Sequence, residues 1–123
     1  MLYAPPPPPV ARLATIGEMP RYFLHISGPV TLRRRHRYIR ISFNVVNRGA
    51  DPHNMTIRRL SDGLVVGASG LVQPISRTHQ AVTFAVTLPR GRYVLYCSLT
   101  TGGSHERRGM RTIFVVRRPR RHR

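Results

Sequence analysis

A chain of 123 residues with 41% hydrophobic side chains is long enough to bury one core, and its single cysteine, Cys97, excludes an internal disulfide. Twenty-one arginines, no lysine and only Glu18, Asp51, Asp62 and Glu106 give a net charge of +17, which predicts salt-sensitive attraction to polyanions and acidic partners. No apolar run approaches the ~20 residues of a membrane-spanning helix, so none is expected.

Residues 1–20 stand apart from the rest. The uninterrupted prolines 5–9 favour an extended polyproline II segment and cannot join a sheet, so this stretch is expected to be a disordered spacer. Met1-Leu2-Tyr3-Ala4 ahead of the prolines supplies neither the charged start nor the apolar stretch of a secretory signal. From residue 21 to 117 the pattern is that of strands. Ile39, Ile41, Phe43 and Val45 alternate with Arg40, Ser42 and Asn44, and Val82, Phe84 and Val86 alternate with Thr83, Ala85 and Thr87. Shorter strands are expected at 22–27, 55–60, 64–66, 92–97 and 111–116. The breakers between them are Gly28-Pro29, Arg48-Gly49, Ser61-Asp62-Gly63, Pro89-Arg90-Gly91 and Gly102-Gly103. About seven to eight short strands with regular turns and no amphipathic helix predict an all-β, antiparallel Greek-key β-sandwich. Residues 118–123 form a basic tail. That tail and the run 33–37 read as solvated charge before they read as a nucleic-acid site.

Chemistry concentrates near the end of the chain. Cys97, His105 and Met110 follow one another with the spacing Cys-x7-His-x4-Met, and His53 precedes them in Asp51-Pro52-His53-Asn54. Two imidazoles and a thiolate make a trigonal set suited to copper in both oxidation states, and a weak axial thioether helps set the potential. Alone, Cys97 would read as a buried inert thiol, His53 as a loop histidine and Met110 as core filler. Their joint occurrence with flanking turns points to a metal site. The same cysteine and histidines could hold zinc, but thioether is a poor zinc ligand and copper is favoured. His25 and His79 read as surface residues, and His36 and His122 lie in arginine runs that repel a cation. No serine nucleophile with a His-Asp pair, phosphate loop or second carboxylate placed for acid-base work is visible, so an enzyme is not expected.

These residues resemble the cupredoxins, the plastocyanin and azurin type of blue copper protein. The histidine follows Asn47-Arg48-Gly49-Ala50-Asp51-Pro52 after a strand, and Cys97 ends the strand Gly91-Arg92-Tyr93-Val94-Leu95-Tyr96-Cys97. The resemblance covers roughly residues 20–116 and implies one copper ion held by His53, Cys97, His105 and Met110, with one-electron transfer as the activity. It implies that Asn54 bonds across to the cysteine loop near Ser98, that Pro52 lies beside the metal, and that Tyr93 ties a loop to its strand. The Cys-to-His interval is longer than in most small cupredoxins and approaches that of copper nitrite reductases, so residues 100–104 are expected to form an extra lobe. Arg107, Arg108 and Arg111 are expected to ring an exposed edge of His105 where electrons leave for an acidic redox protein. A monomer is expected, and the resemblance implies a place outside the cytoplasm, periplasmic or secreted. Two other readings remain: a copper carrier or storage module, and a polyanion-binding basic sandwich without a redox role.

Overall fold

In the computed structural model, which describes residues 5–120, nine strands form two sheets. They are β1 (Val10–Gly17), β2 (Phe23–Ile26), β3 (Val30–Thr31), β4 (Tyr38–Asn47), β5 (His53–Arg59), β6 (Val65–Val72), β7 (Val82–Pro89), β8 (Gly91–Tyr96) and β9 (Arg111–Arg117). One sheet has the order β2-β1-β4-β7 and the other β3-β9-β8-β5-β6. A single helical turn, α1 (Ile75–Thr78), joins β6 to β7. No helix among the described residues is long and apolar enough to cross a membrane.

The alternation in β4 sets the core. Ile39, Ile41, Phe43 and Val45 are buried while Arg40 and Asn44 face solvent. Phe43 from one sheet meets Phe114 from the other edge-to-face, with ring centroids 5.3 Å apart, and stacks on Phe84 at 5.6 Å. Met55, Ile57, Tyr93 and Leu95 complete the opposing face. Tyr93 donates its phenol proton to the Pro89 carbonyl at 2.7 Å, which pins the turn before β8 to the strand.

Two features depart from the sequence reading. Residues 10–17 are not part of a spacer: they form β1, which pairs with β2 and β4 and buries Ala14 and Ile16 completely. Prolines 5–9 do lie exposed outside the sheets, and Met1 to Ala4 and residues 121–123 fall outside the described residues. In addition, β1–β4 and β3–β9 pair in parallel. The chain leaves the first sheet after β2, visits the second through β3, and returns as β4, so a parallel neighbour arises without a hairpin. Strand β6 also runs well beyond 64–66, because bulged pairing with β5 carries Gly67 and Gly70 in an edge strand.

The sandwich has two unlike ends. At one, β5 begins, β8 ends and β9 begins. At the other, the β3–β9 pairing brings the run 33–37 beside residues 117–120, where Leu32 donates to the Arg117 carbonyl and Arg34, Arg35 and Pro119 line a shallow cavity.

If β1 belongs to the core, Ile16→Ala should cost about 2–4 kcal/mol in urea unfolding, the range for emptying a buried isoleucine site, and Leu13→Ala on the outer face about 0.5 kcal/mol or less. Equal, small costs for both substitutions would return this segment to a dispensable spacer.

Candidate metal centre

Because β5 and β8 are antiparallel, the start of one lies beside the end of the other, and this places His53 and Asn54 next to Cys97. The Asn54 backbone N–H donates to Cys97 Sγ at 3.5 Å. The loop after Cys97 then returns His105, whose Nδ1 lies 3.7 Å from the sulfur. Ligand atoms of His53, Cys97 and His105 all fall within 4.8 Å of one another, and the three residues are buried.

Two ties hold the loops that carry them. Asn54 Nδ2 donates to Ser98 Oγ and the Ser98 N–H donates to Asn54 Oδ1, both at 2.9 Å. Met110 is fully buried, and its backbone is bonded on both sides: its N–H donates to the His105 carbonyl at 3.0 Å and its carbonyl accepts from the Cys97 N–H at 3.1 Å. This pair closes the loop into a ring with the cysteine and the methionine adjacent at its neck. Gly109, at φ 122°, makes the closure: a Cβ there would press to 2.6 Å from the Tyr22 carbonyl.

The hydrogen bonds fix how each imidazole is presented. His105 Nε2 lies 2.8 Å from the Thr101 carbonyl, which can only accept, so Nε2 carries the proton and Nδ1 offers its lone pair toward the sulfur. His53 Nε2 lies 2.5 Å from Glu18 Oε2, and by the same argument its proton sits on Nε2. His53 Nδ1 is buried with no hydrogen-bond partner among the described residues. An orphaned buried acceptor is costly, and a bound cation beside it removes the cost. The donor set therefore fits a soft or borderline metal ion: two imidazole lone pairs and a thiol in a dry site.

Glu18 was not singled out in the sequence. It extends from the end of β1, and its carboxylate also accepts the backbone N–H groups of Ala50 and Asp51. Burial tends to raise its pKa, but the His53 contact and these backbone N–H groups outweigh it and hold the carboxyl below its ordinary range. The available signal was scarcity, since Glu18 is one of only four acidic residues in the chain.

The surroundings differ from the expectation at His105. Its imidazole edge is not exposed: the residue is 4% accessible, because the lobe 100–104 turns over it and supplies the Thr101 carbonyl. The longer Cys-to-His interval is thus spent on a cover. Tyr22, Pro52, Leu71, Leu99 and Thr101 form a cleft of about 320 Å³ against His105. Tyr22 meets the His105 ring edge-on, with centroids 5.2 Å apart. Of the three arginines, Arg111 reaches Glu106 at 3.5 Å and Arg108 folds back onto the Gly102 carbonyl and over the Tyr22 ring. Glu106 is held mainly by a two-pronged contact from Arg58, at 2.9 and 2.6 Å, which keeps its pKa below the ordinary carboxylate range. Arg107 is exposed and makes no ion pair among the described residues. His25, His36 and His79 are exposed and lie outside the cluster.

No protein-family model matches the sequence, and no curated protein matches it. Solved structures do match the fold. Auracyanin A, a blue copper protein from the green thermophilic photosynthetic bacterium Chloroflexus aurantiacus, superposes with a TM-score of 0.62 at 16% identity, over 89% of this chain and 99% of that one. The dithionite-reduced auracyanin of the photosynthetic bacterium Roseiflexus castenholzii gives a TM-score of 0.51 at 16% identity, over 87% and 95% of the two chains.

Proposed function

We propose that this cupredoxin-fold chain is a mononuclear blue copper protein that carries single electrons between redox partners. One observation carries the reading: each imidazole has its Nε2 engaged, by Glu18 and by the Thr101 carbonyl, which leaves both Nδ1 atoms to the buried pocket that holds Cys97. In this reading His53, Cys97 and His105 would hold one copper ion and Met110 would add a weak thioether donor. Bound copper would supply a one-electron change between Cu(I) and Cu(II), with the potential tuned by the thioether and the surroundings of the sulfur.

The residues themselves do the remaining work. Asn54 donates its N–H to the sulfur, withdrawing charge from it, and its side chain ties the two ligand loops together. Hydrogen-bonded loops on a rigid sandwich hold the donors in one arrangement, so little reorganisation accompanies electron gain or loss. Burial keeps water away from the sulfur and imidazoles. The same burial favours retention over release, which argues for a carrier of electrons above a carrier of copper. Electrons would then leave through the cover formed by Thr101 and the cleft beside it, and the exposed Arg107, two residues from His105 in the chain, would meet an acidic partner. The convergence of two arginine runs at the far end favours a second, separate reading, in which that pole attracts polyanions and the attraction survives loss of Cys97.

Adding Cu(II) to the metal-free protein should produce an intense visible thiolate-to-copper band. Cys97→Ser should abolish it, and His25→Ala and His79→Ala should leave it intact; a coloured Cys97→Ser protein would remove Cys97 from the ligand set. Met110→Leu should retain copper and raise the potential, since a hydrocarbon stabilises Cu(II) less than a thioether does. An unchanged potential would make Met110 packing only. Arg107→Gln should slow electron transfer to an acidic redox protein about threefold at low salt, and Arg34→Gln at the far end much less. Equal slowing by the two substitutions would mean that only net charge matters.

A further inference from the structure

Glu18, just past the end of β1, contacts His53 at the start of β5 and is not itself one of the proposed ligands. Glu18 arrives from a different strand and sits with its side chain only 9% accessible against His53 Nε2. Its second oxygen is occupied by the Ala50 and Asp51 backbone N–H groups, so the carboxylate cannot swing away without breaking those bonds. The backbone is shaped to admit it. A Cβ built on Gly49 would overlap the Glu18 carboxylate oxygens, and Gly49 is buried. Asn47 holds this turn from the other side, accepting the Gly49 N–H at 2.8 Å while donating to the Asp51 and Val72 carbonyls.

We propose that Glu18 is a positioning residue for the metal: through Nε2 it fixes His53 in the tautomer that offers Nδ1, and its negative charge, passed through the imidazole, favours Cu(II) and lowers the reduction potential. The inference rests on the copper reading above and deepens it. An imidazole that donates to a carboxylate is a better electron donor at its other nitrogen than one that donates to a neutral group. Cu(II), with the larger charge, gains more from that than Cu(I). His105 donates instead to the neutral Thr101 carbonyl, so the two imidazoles are electronically unequal. Gly49 is part of the device, because only a residue without Cβ leaves room for the carboxylate.

Glu18→Gln tests the charge while keeping the shape. The copper-loaded variant should stay coloured, and its preference for Cu(I) over Cu(II) should rise about tenfold, the scale of one charge-assisted hydrogen bond, which is an upward shift of about 59 mV for a one-electron couple. Gly49→Ala should displace the carboxylate and shift the potential the same way, and in a Glu18→Ala background it should add nothing. Tautomers read from ¹⁵N–¹H correlation spectra of the metal-free protein at pH 9 give a copper-independent check: His53 Nδ1 should lack a proton in the parent, and Glu18→Ala should populate both tautomers. A coloured Glu18→Gln protein with the parent's potential would overturn the electronic role, and a protonated Nδ1 in the parent would overturn the positioning role. A parent that takes up no copper would sink the copper reading, and the tautomer measurement would still decide what Glu18 does.

Discussion

Burying His53 is the constraint around which the site end of this protein is arranged. A fully buried imidazole must have both nitrogens satisfied, or its desolvation goes uncompensated. Glu18 satisfies one nitrogen, and nothing among the described residues satisfies the other. Much else follows from holding it in that state. β1 must lie in the sheet to deliver Glu18, Gly49 must lack a side chain, and Asn47 must fasten the intervening turn. The antiparallel pairing of β5 with β8 then sets Cys97 beside His53.

The second histidine is treated differently, and the contrast explains the long loop. His105 is presented by a segment that also covers it, with the Thr101 carbonyl on its outer nitrogen and the Met110 backbone closing the ring to Cys97. The extra residues between Cys97 and His105 thus make a lid of backbone and small side chains over an imidazole that a shorter loop would leave at the surface. Charge follows the same division of the molecule. Glu18, Asp51 and Glu106 lie near the site end, whereas the arginine runs meet at the other, where Asp62 is the acidic residue and is paired with Arg59.

The parts of this fold governed by local pattern were legible in the sequence. β4 and β7 follow their alternation, and the turns fall at the glycine and proline punctuation. β1 was not legible, because the prolines before it dominate the composition and its inward positions are the weakly strand-forming Ala14 together with Ile16. β3 was too short to leave a pattern. At the site, the three residues that the fold brings together, His53, Cys97 and His105, could be picked out by residue type and order, since that combination has a chemical meaning. The carboxylate on His53 could not, because a partner contributed from 35 residues away by a parallel strand pair leaves no local trace. The cover on His105 was half visible: loop length announced an added lobe, but its direction depends on turns at Gly102 and Gly109 that only three dimensions resolve.

We propose that the buried cluster is a metal site built from one sulfur and two imidazole Nδ1 atoms. X-ray absorption at the copper K-edge of the stoichiometrically loaded, full-length protein tests it most directly. The account predicts a first shell with one short sulfur and two imidazole scatterers, changing little between the oxidised and reduced states. A shell of oxygen and nitrogen alone, or one that rearranges on reduction, would contradict it.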